Sequence, residues 1–157
     1  MNGGDGFFDG NRKALYAFLL RLTGDDHLAL DLVQESFARY LSRYRRIGEN
    51  AGLLYTIARN AARDALKKRR DAPLPGSVDI PTHITPERQL LEKEAHRRVI
   101  AAIQQLRPED RELIALLAAG TFSYREIGEL LNLTAGNVKV KVHRARLRLR
   151  AILQSNL

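Results

Sequence analysis

The chain has 157 residues, 45% of them hydrophobic, with a net charge of +8 and a pI near 10.2. That apolar content supports packed cores, and the positive charge calls for an acidic partner, either a nucleic acid or an anionic membrane surface. The lack of any cysteine excludes disulfides, thiolate metal sites and cysteine nucleophiles, and agrees with a reducing compartment.

Met1 to Gly10 is glycine-rich and is expected to fray, with Asn11 capping a first helix on Leu15, Phe18, Leu19 and Leu22 that Thr23-Gly24 ends. Asp25 or Asp26 caps the second. There Ala29, Val33, Phe37, Tyr40 and Tyr44 share one side, while Asp31, Gln34, Glu35, Ala38 and Ser42 share the other. After a loop from Arg45 to Gly52, the spacing predicts a third helix over 53–69. It buries Leu54, Ile57, Ala58, Ala61 and Ala65 and displays Thr56, Arg59, Asn60, Arg63, Asp64 and Lys67, with Asp64 a local partner for Arg63 or Lys68.

From Asp71 to Thr85 the apolar period vanishes and Pro73, Pro75, Gly76, Ser77 and Pro81 appear, which reads as an extended, mobile linker. Thr85 then caps a helix opened by Pro86 and carried to about Leu106 on Leu90, Val99, Ile103 and Leu106. Pro108 opens the next, with Leu113, Ile114, Leu116 and Leu117, and Gly120 closes it.

The last stretch is the most informative. Ser123 and Glu126 form a capping box, Phe122 and Ile127 a hydrophobic staple, and Asn132 stands where the short helix should stop in the left-handed conformation. Thr134 caps again, and Val138, Val142, Ala145, Leu149 and Ile152 line one side of a final helix. Two short-linked helices of this kind match the helix-turn-helix plan. On the opposite side Gly136, Lys139, Val140, His143 and Arg144 form a stripe suited to base edges in a major groove, with Lys141, Arg146, Arg148 and Arg150 as phosphate contacts. Charge follows the same division: net +4 over residues 1–71, −1 over 72–120 and +5 over 121–157. The expected fold is all-α: two small helical domains, residues 1–70 and 86–157, joined by a flexible Pro-rich linker at 71–85, the second domain with the helix-turn-helix.

Three segments also carry a family likeness. RLTGDDHLALDLVQESF, LLYTIARNAARDALKKRR and LRPEDRELIALLAAGTFSYREIGELLNLTAGNVKVKVHRARLRLR occur in the order, and with the character, that resembles the extracytoplasmic-function sigma factors of bacteria. The resemblance implies a polymerase-binding helix with Asp31, Leu32, Gln34 and Glu35 on the clamp of the β′ subunit, and a second domain on the flap of the β subunit. It implies a promoter-melting helix in which Asn60 lines a pocket for a flipped-out base of the minus-ten element and Arg59, Arg63 and Lys67 hold the strand. It implies further that Lys139, Val140, His143 and Arg144 meet the minus-thirty-five element of promoter DNA, and that an anti-sigma protein is a partner to look for. Two positions depart from the pattern: Leu53 stands where the family often has Trp, and Val140 where it often has Ser. An apolar Val140 suits a thymine methyl.

The implied protein is a sigma factor acting with core RNA polymerase, with no enzymatic activity, cofactor, metal or small-molecule substrate. Four scattered histidines and no phosphate loop leave nothing to place in a catalytic role. With neither a signal-peptide pattern nor a long apolar run, the expected location is cytoplasmic. The rival reading is a stand-alone helix-turn-helix regulator whose first half senses or dimerises; such a protein has no need of Asn60 amid Arg59 and Arg63 on a second basic helix.

Overall fold

The structure, a computed structural model, describes residues 3–44, 48–71 and 86–155. Among them every regular element is helical: α1 (Gly3–Thr23), α2 (Asp26–Tyr44), α3 (Ala51–Asp71), α4 (Pro86–Gln104), α5 (Pro108–Ala119), α6 (Tyr124–Leu131) and α7 (Ala135–Ser155). The all-α expectation holds. Of the expected linker at 71–85, Asp71 is instead the last residue of α3, and 72–85, with the Thr85 cap, lie outside the described residues.

The first three helices pack on one another around Leu15, Phe18, Leu19, Leu22, Ala29, Val33, Phe37, Leu54, Ala58 and Ala61, all buried. Their corner is built by local chemistry. Gly24 takes φ 69°, its N–H donates to the Leu20 carbonyl at 2.7 Å, and the Asp25 carboxylate accepts from the Leu28 N–H at 2.9 Å as an N-cap. Asn11 is not a cap, contrary to expectation. α1 begins at Gly3, and the Asn11 amide donates back to the Phe7 carbonyl within the helix. The cause is tertiary: Phe8 packs on Phe37 at 4.6 Å and Phe7 on Tyr40 at 5.4 Å, so aromatic burial outweighs the poor helix propensity of the glycines.

In the second half, α5 ends at Gly120 in the left-handed region, as expected. Among the side chains of α4 that are described, Ile100, Ala102 and Ile103 are buried, while Val99 is turned outward, one residue off the predicted seam; Leu90 of that seam lies outside them. Both capping-box bonds between Ser123 and Glu126 form, and Asn132 ends α6 at φ 59°, ψ 48°. The turn into α7 needs a glycine for space. A Cβ on Gly128 would lie 2.4 Å from the Leu133 carbonyl oxygen, and that close approach lets the Leu133 N–H donate to the Gly128 carbonyl at 2.7 Å.

The two halves also touch. α1 packs against α4 and α5, α3 against α6, and one apolar cluster runs from Leu15, Phe18 and Tyr55 through Leu113 and Leu116 to Ile127, Val138 and Val142. Tyr55 is the hinge pin of this seam, with its ring 5.1 Å from Phe18 and 4.9 Å edge-on to Phe122. A smaller cluster of Ile103, Leu106, Ile114 and Ala145 fastens α7 to α4 and α5.

Candidate nucleic-acid interface

α7 divides as its spacing demands. Val138, Val142 and Ala145 are buried, Leu149 and Ile152 half-buried, and Gly136, Lys139, Val140, His143 and Arg144 are exposed on the other side. The Thr134 hydroxyl accepts from the Asn137 N–H at 3.1 Å, which fixes the first turn, the part that meets base edges when such a helix enters a groove. Lys141, Arg146 and Arg150 are exposed as well. Arg148, expected as a phosphate contact, is engaged within the protein. Its Nη1 donates to the buried Asp110 carboxylate at 2.8 Å, so it ties α7 to the first turn of α5 instead.

On α3, Asn60 is exposed and makes no side-chain hydrogen bond to a described residue, and Lys67 is exposed. Arg59 and Arg63 are differently placed. Arg63 donates from Nε and Nη2 to the two oxygens of Glu112 on α5, at 2.5 and 2.7 Å, and Arg59 donates from Nη1 to the Leu130 carbonyl at the end of α6, at 3.0 Å. Arg63 thus pairs with Glu112 rather than with Asp64. Those hydrogen bonds raise the Arg63 pKa above its ordinary value; burial lowers that of Arg59, with the neighbouring Arg63 charge acting in the same sense. Both guanidinium groups stay charged at neutral pH. A cleft of about 500 Å³ gathers Arg59 and Arg63 with Glu112, Leu130, Asn132 and Lys141, so cations from both basic helices line one hollow.

On α2, Asp31, Gln34 and Glu35 are exposed, with Glu35 paired to Arg39 at 2.5 Å one turn on. Leu32, grouped with them by the resemblance, is only 3% exposed and belongs to the core, because its position falls on the Ala29–Val33 side of the helix. The sequence reading also missed Tyr55, Asp110 and Glu112. Tyr55 lies in the apolar register of α3, where its neighbours Leu54 and Ala58 mark a buried side. The two acids give no local signal for the pairs they make across the fold, since Arg148 and Arg63 lie 38 and 49 residues away in sequence.

No described helix is long and apolar enough to cross a membrane. Residues 7–72 match the sigma-70 region 2 family and residues 96–149 the sigma-70 region 4 family. The chain is 33% identical over 142 residues to the RNA polymerase sigma factor CarQ of Myxococcus xanthus, covering 87% of this chain and 80% of that one. It is 34% identical over 148 residues to the ECF RNA polymerase sigma factor EcfG of Rhodopseudomonas palustris, covering 89% and 79%. Among solved structures it resembles the sigma factor RpoE of Bartonella quintana, crystallised with the anti-sigma factor NepR, at a TM-score of 0.69, 28% identity and coverage of 90% and 91%. It shares its fold with CnrH, solved with the cytosolic domain of CnrY, at a TM-score of 0.70, 21% identity and coverage of 98% and 89%. A region 2 match over the first half is not what a stand-alone regulator would carry. The chain belongs to the extracytoplasmic-function sigma factors, which associate with RNA polymerase and direct promoter-specific initiation of transcription.

Proposed function

We propose that this sigma factor divides its work among three helices. The outward face of α2, with Asp31, Gln34 and Glu35, docks on the clamp of the β′ subunit, while the second half meets the flap of the β subunit. The exposed stripe of α7 enters the major groove of the minus-thirty-five element. Lys139 and Arg144 donate hydrogen bonds there, His143 adds a polar contact and Val140 covers a thymine methyl; Lys141, Arg146 and Arg150 hold phosphates. α3 works on the melted strand. The amide of Asn60 offers both donor and acceptor to a base that has left the stack, while Arg59, Arg63 and Lys67 grip the backbone on either side.

The observation that carries this reading is the division of α7, with Val138, Val142 and Ala145 buried and Gly136, Lys139, Val140, His143 and Arg144 exposed, behind a fully formed helix-turn-helix corner. The exposure of Asn60 amid arginines supports the melting role. Such a protein does no covalent chemistry of its own, needs neither cofactor nor small-molecule substrate, and works in the cytoplasm where polymerase is. An anti-sigma protein acting on the polymerase-facing surfaces fits the solved relative bound to NepR.

The test separates the surfaces. Lys139→Ala is expected to weaken binding to duplex carrying the upstream element, relaxing discrimination at one base by about 1–3 kcal/mol. Asn60→Ala should spare polymerase docking yet lower permanganate reactivity across the minus-ten element on a closed duplex, with recovery on a template already mismatched there. Gln34→Ala with Glu35→Ala should lose core polymerase without loss of stability. An Asn60→Ala protein that opens the duplex as well as the unaltered chain removes the melting role.

A further inference from the structure

We propose that the cleft between α3 and α5 is a binding site for a free nucleoside diphosphate or triphosphate, a ligand with a flat apolar ring system at one end and a chain of phosphates at the other. The site lies beyond the promoter and polymerase surfaces assigned above.

Size is the first argument. The cleft encloses about 690 Å³, within the range of about 300–1,000 Å³ that small-molecule sites occupy. Part of its lining is apolar. Ala62 and Leu66 stand one turn apart on α3, and Leu22 of α1 and Pro108 of α5 join them, a surface on which a planar base can lie.

Charge is the second. Ala62, Arg63, Leu66, Arg69 and Arg70 fall at i, i+1, i+4, i+7 and i+8, so one face of α3 brings both apolar side chains and three arginines to the cleft. Lys67 and Arg111 raise the cations of the lining to five, against the three acids Asp64, Glu109 and Glu112. Two of the five are already answered, Arg63 by Glu112 and Arg69 by Asp25. Lys67, Arg70 and Arg111 have no carboxylate partner among the described residues.

Arg111 is the most telling of these. Its Nη2 donates to the carbonyls of Gln104 and Leu106 at 2.9 and 3.1 Å, so the hydrogen bonds of this half-buried guanidinium go to main-chain oxygens. Burial lowers its pKa, against the pull of the neighbouring Glu112. A phosphate in the cleft supplies the counter-charge that the protein does not. The two unpaired acids stand at the borders: Asp64 also lines the groove between α2 and α3, and Glu109 the hollow beside Lys141.

A nucleotide within a single DNA strand has the same chemistry as a free one, and the arms of the test separate the two sources. The full chain is titrated by calorimetry, in about 150 mM salt to screen loose attraction, with ADP, GDP, adenosine, inorganic pyrophosphate and a short unphosphorylated single-stranded oligonucleotide. At least one of the two nucleotides is expected to bind at a single site, about tenfold or more tighter than adenosine or pyrophosphate. Leu66→Trp, which fills the cleft, and Arg70→Glu, which reverses an exposed cation there, should each weaken that nucleotide at least about tenfold. Arg70→Lys should restore affinity to within about threefold. Arg98→Glu, on the exposed part of α4, makes the same change of net charge away from the cleft and should leave binding within about twofold. Circular dichroism checks the fold of each variant, and the exposed Arg70 carries the test by itself if Leu66→Trp does not fold. Saturable binding of neither nucleotide overturns the site. Pyrophosphate as tight as the nucleotide, or equal losses from Arg70→Glu and Arg98→Glu, would reduce it to general attraction by the net charge of +8 and overturn it as well. An oligonucleotide that binds more tightly than the nucleotide and suffers the same loss in Arg70→Glu would make the cleft part of the path of a strand, and the free-nucleotide site would fall.

Discussion

α3 and α7 are both 21 residues long, both rich in Lys and Arg, and both set with one apolar and one polar side, yet they meet their surroundings differently. The basic side of α7 faces solvent along most of its length and gives up only Arg148 to an internal carboxylate. That of α3 has Arg59 and Arg63 held by the other half and Arg69 bonded to Asp25. A stripe of charge therefore tells which side of a helix is polar, but not whether water or a distant acid sits upon it. The largest way to break this difference is to remove the ring on which the two halves meet. Tyr55→Ala takes a fully buried aromatic from between Phe18 and Phe122 and is expected to lower stability by about 3–5 kcal/mol in denaturant unfolding. Tyr55→Phe keeps the ring, loses only the Thr121 contact, and should lower it by about 1 kcal/mol or less. Equal losses from the two changes would mean that the aromatic seam does not hold α3 to the second half.

A smaller change strikes α7 alone. Gly128→Ala forces the α6–α7 corner apart, since backbone at 2.4 Å, unlike the end of a flexible side chain, has no rotamer to retreat into. Overpacking of this kind destabilises by about 1–3 kcal/mol. Thermal unfolding should show the loss, and duplex binding through α7 should weaken with it, while binding to core polymerase through α2 survives. Full duplex affinity in the alanine variant would mean that the presentation of α7 does not depend on this corner.

What the sequence made legible follows the same division. The Ser123–Glu126 box, the Thr134 cap, the left-handed Asn132 and the Gly120 stop were all readable because each rests on bonds within a few residues. The buried seam of α7 was readable because one period decides it. The start of α1 was not: Phe7 and Phe8 find their partners on α2, about 30 residues on, and nothing near Asn11 announces that. Arg59, Arg63 and Arg148 were placed correctly on polar sides, but their acceptors come from elements that only the packing brings near. Leu32 shows the converse. A motif's order suggested a surface, whereas its helical register beside Ala29 and Val33 already placed it inside.

Arg148 and Arg150 sharpen the contrast within α7. Arg148→Ala leaves the buried Asp110 carboxylate with only the longer contact from Arg107 at 3.4 Å, and is expected to lower stability by about 1 kcal/mol. Arg150→Ala should leave stability within about half a kcal/mol but reduce the salt dependence of DNA binding by about one unit. Urea titrations paired with binding curves at several salt concentrations separate the two. If Arg148→Ala changes the salt slope and spares stability, its place is on phosphate after all.

The smallest expected effect concerns Arg69, a cation of α3 engaged by a partner in its own half. The Asp25 carboxylate caps α2 through the Leu28 N–H and takes a hydrogen bond from Arg69, so it joins the α1–α2 corner to the last turns of α3. Burial works to raise its pKa, but the Leu28 bond, the Arg69 pair and the nearby His27 together bring it below the ordinary 3.8. A folded-state pKa below the unfolded one contributes stability that is fully present above the unfolded value and lost as pH falls through the folded value. The contribution is therefore constant near neutrality and fades only below about pH 4. Asp25→Asn retains a capping oxygen and removes the charge, so its cost at pH 7 should be below about 1 kcal/mol. The stability curves of the two proteins should run parallel from pH 7 to about pH 5 and converge below about pH 4. Curves that stay parallel to pH 3 would mean that Arg69 draws nothing from this carboxylate, leaving Glu112 and Leu130, both in the other half, as the acceptors that engage the arginines of α3.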